Sequence, residues 1–339
     1  MKIHRKFRRY TLYLLPLLFL TAILLYPSQA RNGAASGLLL WFNVLLPTLL
    51  PFMILADLIR RLHIVDSVCA KISARTGKNL YFLYPLILGL LSGLPLGAKL
   101  VAEAVKEEKL SQRSSQFLLT VCNNCSMMFL IGYVAEQQLQ QPELSSLFLL
   151  LIPLTSLLSA LICHFIFSST NSPTHSSTNT FVQATAFSPN AAPSVFPIRS
   201  STDNLVRATD ASHPSVPNQP FITSISNSIM DSFTVLTQVG GFVILFSVLA
   251  EFILLTESPL TLPLVASLEM TTGVRSVCAS DLPQHTKTIL SAASVSFTGL
   301  SGIAQTACVL SETGLSVIQY TISRILSAVL CAALFALLL

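Results

Sequence analysis

Six apolar runs dominate this chain, at 37–58, 115–135, 145–167, 225–255, 287–310 and 317–339. Each is close to the ~20 residues that a helix needs to cross the hydrocarbon of a bilayer. The composition agrees: 52% of the 339 residues are hydrophobic and 10% are charged, with a mean hydropathy of +0.67. That balance identifies an integral membrane protein. In hydrocarbon every backbone N–H and C=O must be paired within the protein, so runs of this length fold as helices. The expected class is all-α, a polytopic membrane protein of about 7–9 membrane segments.

The basic residues gather at the ends of the apolar runs, and no basic face interleaved with aromatics suggests a nucleic-acid partner. Arg60, Arg61, Lys71, Arg75 and Lys78 form a basic loop, which belongs in the cytoplasm. Residues 1–30 combine the basic flank "MKIHRKFRRY" with an apolar run and Ser28-Gln29-Ala30, so they read as a signal anchor or a cleaved signal peptide. Either leaves Arg31 on the outer face. The seven cysteines include Cys163, Cys308 and Cys331 inside apolar runs, which argues against a disulfide framework. Residues 168–220 are rich in Ser, Thr, Asn and Pro and read as a flexible linker. They separate a first membrane half, 31–167, from a second, 221–339.

The halves look alike. "FMILAD" (Phe52–Asp57) has a counterpart in "FSVLAE" (Phe246–Glu251), and each half then carries a Gly-interrupted piece, a polar notch and a final span. If 80–100 enters and leaves on one side, the second half starts from the opposite face to the first. The expectation is two inverted repeats with broken or re-entrant helices.

The interruption at Ser92, Gly93, Pro95 and Gly97 marks a place where protein or water receives freed backbone groups. Amides after Gly97, with Lys99 one turn on, would suit a carboxylate. The alternative is a packing kink, with Lys99 snorkelling to the cytoplasmic interface. In "CNNCS" a Cys-x-x-Cys spacing lacks a second ligand pair, so no metal or redox site is expected. Asn123 and Asn124 should face the bundle interior, as a site or as glue between helices. The same holds for Thr271, Thr272 and Gly273 and for Thr298, Gly299, Ser301 and Gln305. Glu269 lies deep in its run, six residues before Arg275; Asp57 and Glu251 read as interfacial carboxylates, and Arg324 as a topological charge. No catalytic constellation appears, and neither an enzyme nor a cofactor is expected.

Four motifs in this order, "LSGLPLGAK" (Leu91–Lys99), "NNCSMMFLIG" (Asn123–Gly132), "LEMTTG" (Leu268–Gly273) and "FTGLSGIAQ" (Phe297–Gln305), resemble the sporulation integral membrane proteins of the YlbJ type, also called SpoVV, within the nucleoside-recognition or gate-domain group. The family has Gly-Pro where this chain has Ser126-Met127 and a second Gly at Thr298, which implies softer breaks there. The resemblance implies a multi-pass protein of the outer forespore membrane that transports a small anion, dipicolinate, and works with sporulation membrane partners or a second copy of itself. The alternative is a scaffold or sensor in spore assembly that transports nothing.

Overall fold

The computed structural model describes residues 14–76, 80–170 and 221–339, apart from 15, 257 and 259; the basic flank 1–13 and the expected linker from 171 to 220 lie outside the described residues. An apolar helix α1 (Pro16–Leu25) leads into α2 (Pro27–Leu40), which opens on a proline whose missing N–H costs nothing in a first turn. A π-helical turn, Trp41–Leu45, joins α2 to α3 (Leu46–Arg61), and α4 (Ile64–Thr76) follows. Then come α5 (Leu83–Ser92), α6 (Leu96–Lys106), α7 (Gln112–Cys122), a π-helical segment π2 (Phe129–Gln138) and α8 (Ser145–Thr170), three residues longer than the expected span. The second half comprises α9 (Phe221–Leu254), α10 (Thr261–Leu268), α11 (Met270–Ala279), α12 (Gln284–Phe297), α13 (Gly299–Leu310) and α14 (Val317–Leu338).

Among the described residues, five helical stretches are long and apolar enough to cross a membrane: Pro27–Arg61, Pro142–Phe167, Phe221–Leu254, Gln284–Leu310 and Val317–Leu338. Two expected continuous spans prove broken. The run at 115–135 stops at Asn123 and resumes as π2, and the run at 287–310 turns at Thr298. Their polar notches remove the helix's own hydrogen bonds locally, and the surrounding packing accepts the freed groups.

Both halves therefore share one order of elements: a long span, a hairpin (α5/α6; α10/α11), a discontinuous span (α7/π2; α12/α13) and a last span (α8; α14). Helix α4 has no counterpart in the second half. The α5/α6 hairpin is re-entrant, because both its ends return to the face where α3 ends. Tyr84 near its start donates to the Ala56 carbonyl (3.0 Å), and Glu103 near its finish meets Arg60 (3.3 Å).

Equivalent helices of the two halves run antiparallel. On α8 and α14, the Phe148 ring packs tilted against Phe335 (4.8 Å between ring centroids) while Ser156 meets Ser327 (3.4 Å). On α2 and α9, Gly33 lies against Val248 and Trp41 against Gly240, and the Trp41 indole donates to the Leu236 carbonyl (2.8 Å). Antiparallel equivalents are the geometry of inverted repeats. Small residues at these seams let backbones approach, the usual helix contact in lipid.

One face collects the ends of α3, α6 and α13 and the starts of α7, α9 and α14. There Arg61 pairs with Asp57 and Asp231, Lys106 with Glu312 (2.7 Å), and Gln112 donates to the Thr313 carbonyl (2.6 Å). It carries Arg60, Arg61, Lys71, Lys106, Lys109 and Arg113, whereas Arg31, Arg275 and Lys287 lie toward the other, so the positive-inside rule assigns it to the cytoplasm. Cysteines substituted at Glu312 and at Asp281 should accordingly react with an impermeant maleimide from opposite sides of sealed vesicles; labelling of both from one side would refute the inverted arrangement.

Candidate functional site

The hairpin tip between α5 and α6 is built on Gly93, whose φ of 76° and ψ of −162° suit glycine alone. A Cβ there would lie 2.4 Å from the Ser126 nitrogen and 2.8 Å from the Asn124 carbonyl oxygen. The tip is thus pressed onto the break in α7/π2. Leu94 N–H donates to the Asn124 carbonyl (2.7 Å), Gly97 N–H to the Gly93 carbonyl (3.1 Å), and Ala98 N–H to Asn123 Oδ1 (3.1 Å). Of the amides at the start of α6, expected to meet a carboxylate, Ala98 N–H is capped by Asn123, while Gly97 and Lys99 N–H bond to the carbonyls of Gly93 and Pro95. Pro95 begins the turn into α6, and the Ser92 hydroxyl is buried with no partner among the described residues.

Asn123 and Asn124 tie this break to the other half. Asn123 Nδ2 donates to Thr306 Oγ1 and to the Tyr320 hydroxyl, both at 2.9 Å. Asn124 Nδ2 donates to the Val121 carbonyl (2.6 Å), and its Oδ1 accepts from Ser156 (2.6 Å) and from the Arg324 guanidinium. Both carboxamides face the bundle interior, and each bridges helices.

In the second half the break falls at Glu269, four residues before the glycine that the sequence pointed to. Gly273 lies within α11, where its hydrogen faces Ala266 across the hairpin and a Cβ would come within 2.5 Å of the Ala266 Cα. Glu269 is 2% exposed and caps α11: its carboxylate accepts from Thr272 N–H (2.7 Å) and from the Thr271 hydroxyl. It therefore fills the anion position at that helix start itself. No ion pair joins it to Arg275 among the described residues. Thr298 takes the left-handed conformation, φ 71°, and Gly299 beside it approaches the Leu268 carbonyl. The break persists at Thr298, where a softer one was expected.

The breaks of the two halves meet. Leu94, Glu269, Met270, Thr298 and Gln305 surround a pocket of about 20 Å³ whose other walls come from α3 and α9. That is room for about one water. The Gln305 amide donates to Ser301 (3.1 Å), while its Oε1 has no partner among the described residues. Cys125 in the α7/π2 break reaches Met270 and the Val295 carbonyl (3.2 Å). Lys99 lies apart, within charge range of Asp57 and Glu103. Asp57 lies near the cytoplasmic end of α3 but does not face water: it is 3% exposed and held by Arg60 (2.7 Å) and Arg61 (2.6 Å).

Arg324 is the residue that sequence reading misplaced. It is 0% exposed, with Nη1 on Asn124 Oδ1, Nη2 on the Thr120 carbonyl (2.7 Å) and the guanidinium 5.5 Å from the Tyr320 ring. Among the described residues no carboxylate pairs with it, and its Nε has no partner. An arginine seven places inside an apolar span could have been flagged as functional on that ground alone.

The chain is a polytopic all-α membrane protein whose two halves each pair a re-entrant hairpin with a discontinuous span around buried polar groups. Over 95% of its length the chain is 28% identical, across 354 aligned positions, to the sporulation integral membrane protein YlbJ of Bacillus subtilis (strain 168), of which the alignment covers 80%. The resemblance to YlbJ-type proteins read from four motifs thus extends along the chain; the wider gate-domain grouping gains no support from it. No family model matches the chain. No solved structure matches it.

Gly93 and Gly132 provide an internal comparison, since a Cβ at Gly132 meets nothing within 4 Å. Gly93→Ala should destabilise the protein by roughly 2 kcal/mol or more, read as a lower melting temperature in detergent. Gly132→Ala should leave it unchanged or slightly raised.

Proposed function

We propose that the chain is a transporter for a small organic anion, with dipicolinate crossing the outer forespore membrane during sporulation as its cargo. The observation that carries this reading is the meeting of the two hairpin tips, from inverted halves, around the pocket at Leu94, Glu269 and Gln305. Inverted halves with broken helices at mid-depth can open to either face in turn. With only about 20 Å³ between the tips, the arrangement described is the closed one, and passage requires the tips to part.

Parting would free groups that are now satisfied internally. When Asn123 Oδ1 leaves Ala98 N–H, the start of α6 offers the Ala98 amide and the positive end of its dipole to a carboxylate. Ser92, Asn123, Asn124, Ser301 and Gln305 supply hydrogen-bonding groups around it, and Lys99 adds charge one turn on. Gly93, Pro95, Gly97, Gly273 and Gly299 shape the tips, while Thr271 and Glu269 hold the start of α11. Dipicolinate is a small aromatic dianion and fits such donors. The sporulation setting is taken from the relative's name and from the family resemblance.

Purified protein in liposomes should take up labelled dipicolinate several times faster than empty liposomes; equal uptake would refute transport of this anion. Lys99→Ala should lower that uptake severalfold with the protein still inserted at its usual level. Unchanged uptake would remove Lys99 from the path.

A further inference from the structure

A second, larger cavity, about 370 Å³, lies between α7, α8 and α14 on the basic face. This is within the ~300–1,000 Å³ range of small-molecule sites. Its wall carries two basic side chains, Arg113 and His164, with neutral hydrogen-bonding groups from Gln116, Thr120, Ser316 and Gln319, and none of its lining residues is acidic. Thr120 joins it to the buried guanidinium: the residue lines the cavity, and its carbonyl accepts from Arg324 Nη2 (2.7 Å). Cys163, another lining residue, also lies within charge range of Arg324.

A fully enclosed guanidinium without a carboxylate costs several kcal/mol of lost hydration, and intramembrane charges of this kind persist where they are used. Here two carbonyl-type oxygens, on Thr120 and Asn124, stand where the two oxygens of a carboxylate would satisfy an arginine better, in a paired geometry. Nε remains without a partner among the described residues. Asn124 also belongs to the break in α7/π2, so displacing it from Arg324 would loosen the contact on which the first hairpin tip rests.

We infer that the cavity between α7, α8 and α14 is the cytoplasmic entrance for the transported anion, and that Arg324 receives one of its carboxylates. This rests on the transport reading above but places the first binding event in a different part of the molecule from the pocket between the hairpin tips. Arrival of a carboxylate at Arg324 takes over its bond to Asn124, which couples occupancy of the entrance to release of the tip. An entrance whose wall carries Arg113, neutral hydrogen-bonding groups and no carboxylate selects against cations by charge.

The test uses the full chain, with dipicolinate as the probe and the neutral nicotinamide as its control. Equilibrium binding of labelled dipicolinate should weaken roughly ten- to a hundredfold in Arg324→Gln and less in Arg324→Lys, with nicotinamide failing to compete. The melting temperature of Arg324→Gln, measured in parallel, separates lost binding from lost folding. In a chain whose wall thiol is removed by Cys163→Ser, Gln319→Cys places a new thiol on the cavity wall. It should react faster with a sulfonate methanethiosulfonate than with the trimethylammonium reagent, and dipicolinate should protect it.

Binding by Arg324→Gln within twofold of wild type, or no protection of the thiol at position 319, would overturn the inference. Should Arg324→Gln fail to fold, the protection experiment decides alone. Protection without uptake into liposomes would sink the transport reading and leave this site standing; uptake without protection would do the reverse.

Discussion

A backbone group without a partner in hydrocarbon costs several kcal/mol, and four interruptions of the helices are arranged around that cost. The first hairpin tip survives at depth because Leu94 N–H finds the Asn124 carbonyl and Ala98 N–H finds Asn123 Oδ1. The facing break survives for the same reason. Each supplies what the other lacks, so neither can be moved without exposing the other. In the second half Glu269 does this work within its own hairpin, and Gly299 closes against the Leu268 carbonyl.

This mutual satisfaction explains the placing of the two asparagines. A carboxamide has both donors and acceptors, so Asn123 can cap α6 with its oxygen while its nitrogen reaches Thr306 and Tyr320 in the opposite half. Asn124 links Val121, Ser156 and Arg324 in the same way. Part of the polar seam between the halves therefore passes through the break itself. A ligand that competes for any of these bonds acts at once on the hairpin and on the seam between the halves, which is what coupling of binding to opening requires.

Charge is divided between the halves' breaks. Glu269 lies at the start of α11, stabilised by amide and hydroxyl donors, and Arg324 lies beside the α7 break with only carbonyl-type acceptors. In a low-dielectric interior such charges act over longer distances than in water. The tip pocket thus borders a carboxylate whose oxygens are met by donors of α11, whereas the region between α7, α8 and α14 holds a cation without a carboxylate partner among the described residues.

Membrane residence, helical class, the division into two halves and the break at Gly93 were legible in the chain itself. Run length, composition and the glycine–proline cluster act locally, and a bilayer leaves an apolar segment few alternatives. The second break was read at Gly273 and lies at Glu269, because whether a glycine bends the backbone or admits a neighbour depends on what packs against it, here Ala266. Thr298 adopts a left-handed turn that nothing in its own chemistry favours; the approach of Gly299 to the α10/α11 tip accompanies it. Arg324 read as one of the sparse topological charges of the second half; only the packing of α7, α8 and α14 encloses it. The sequence by itself determined that this chain spans a membrane as paired, interrupted halves, because hydrophobicity and helix breaking are properties of short segments. Which interruptions face each other, and which charge is left buried without a counter-ion, was decided by tertiary structure, because both depend on residues brought together from opposite ends of the chain.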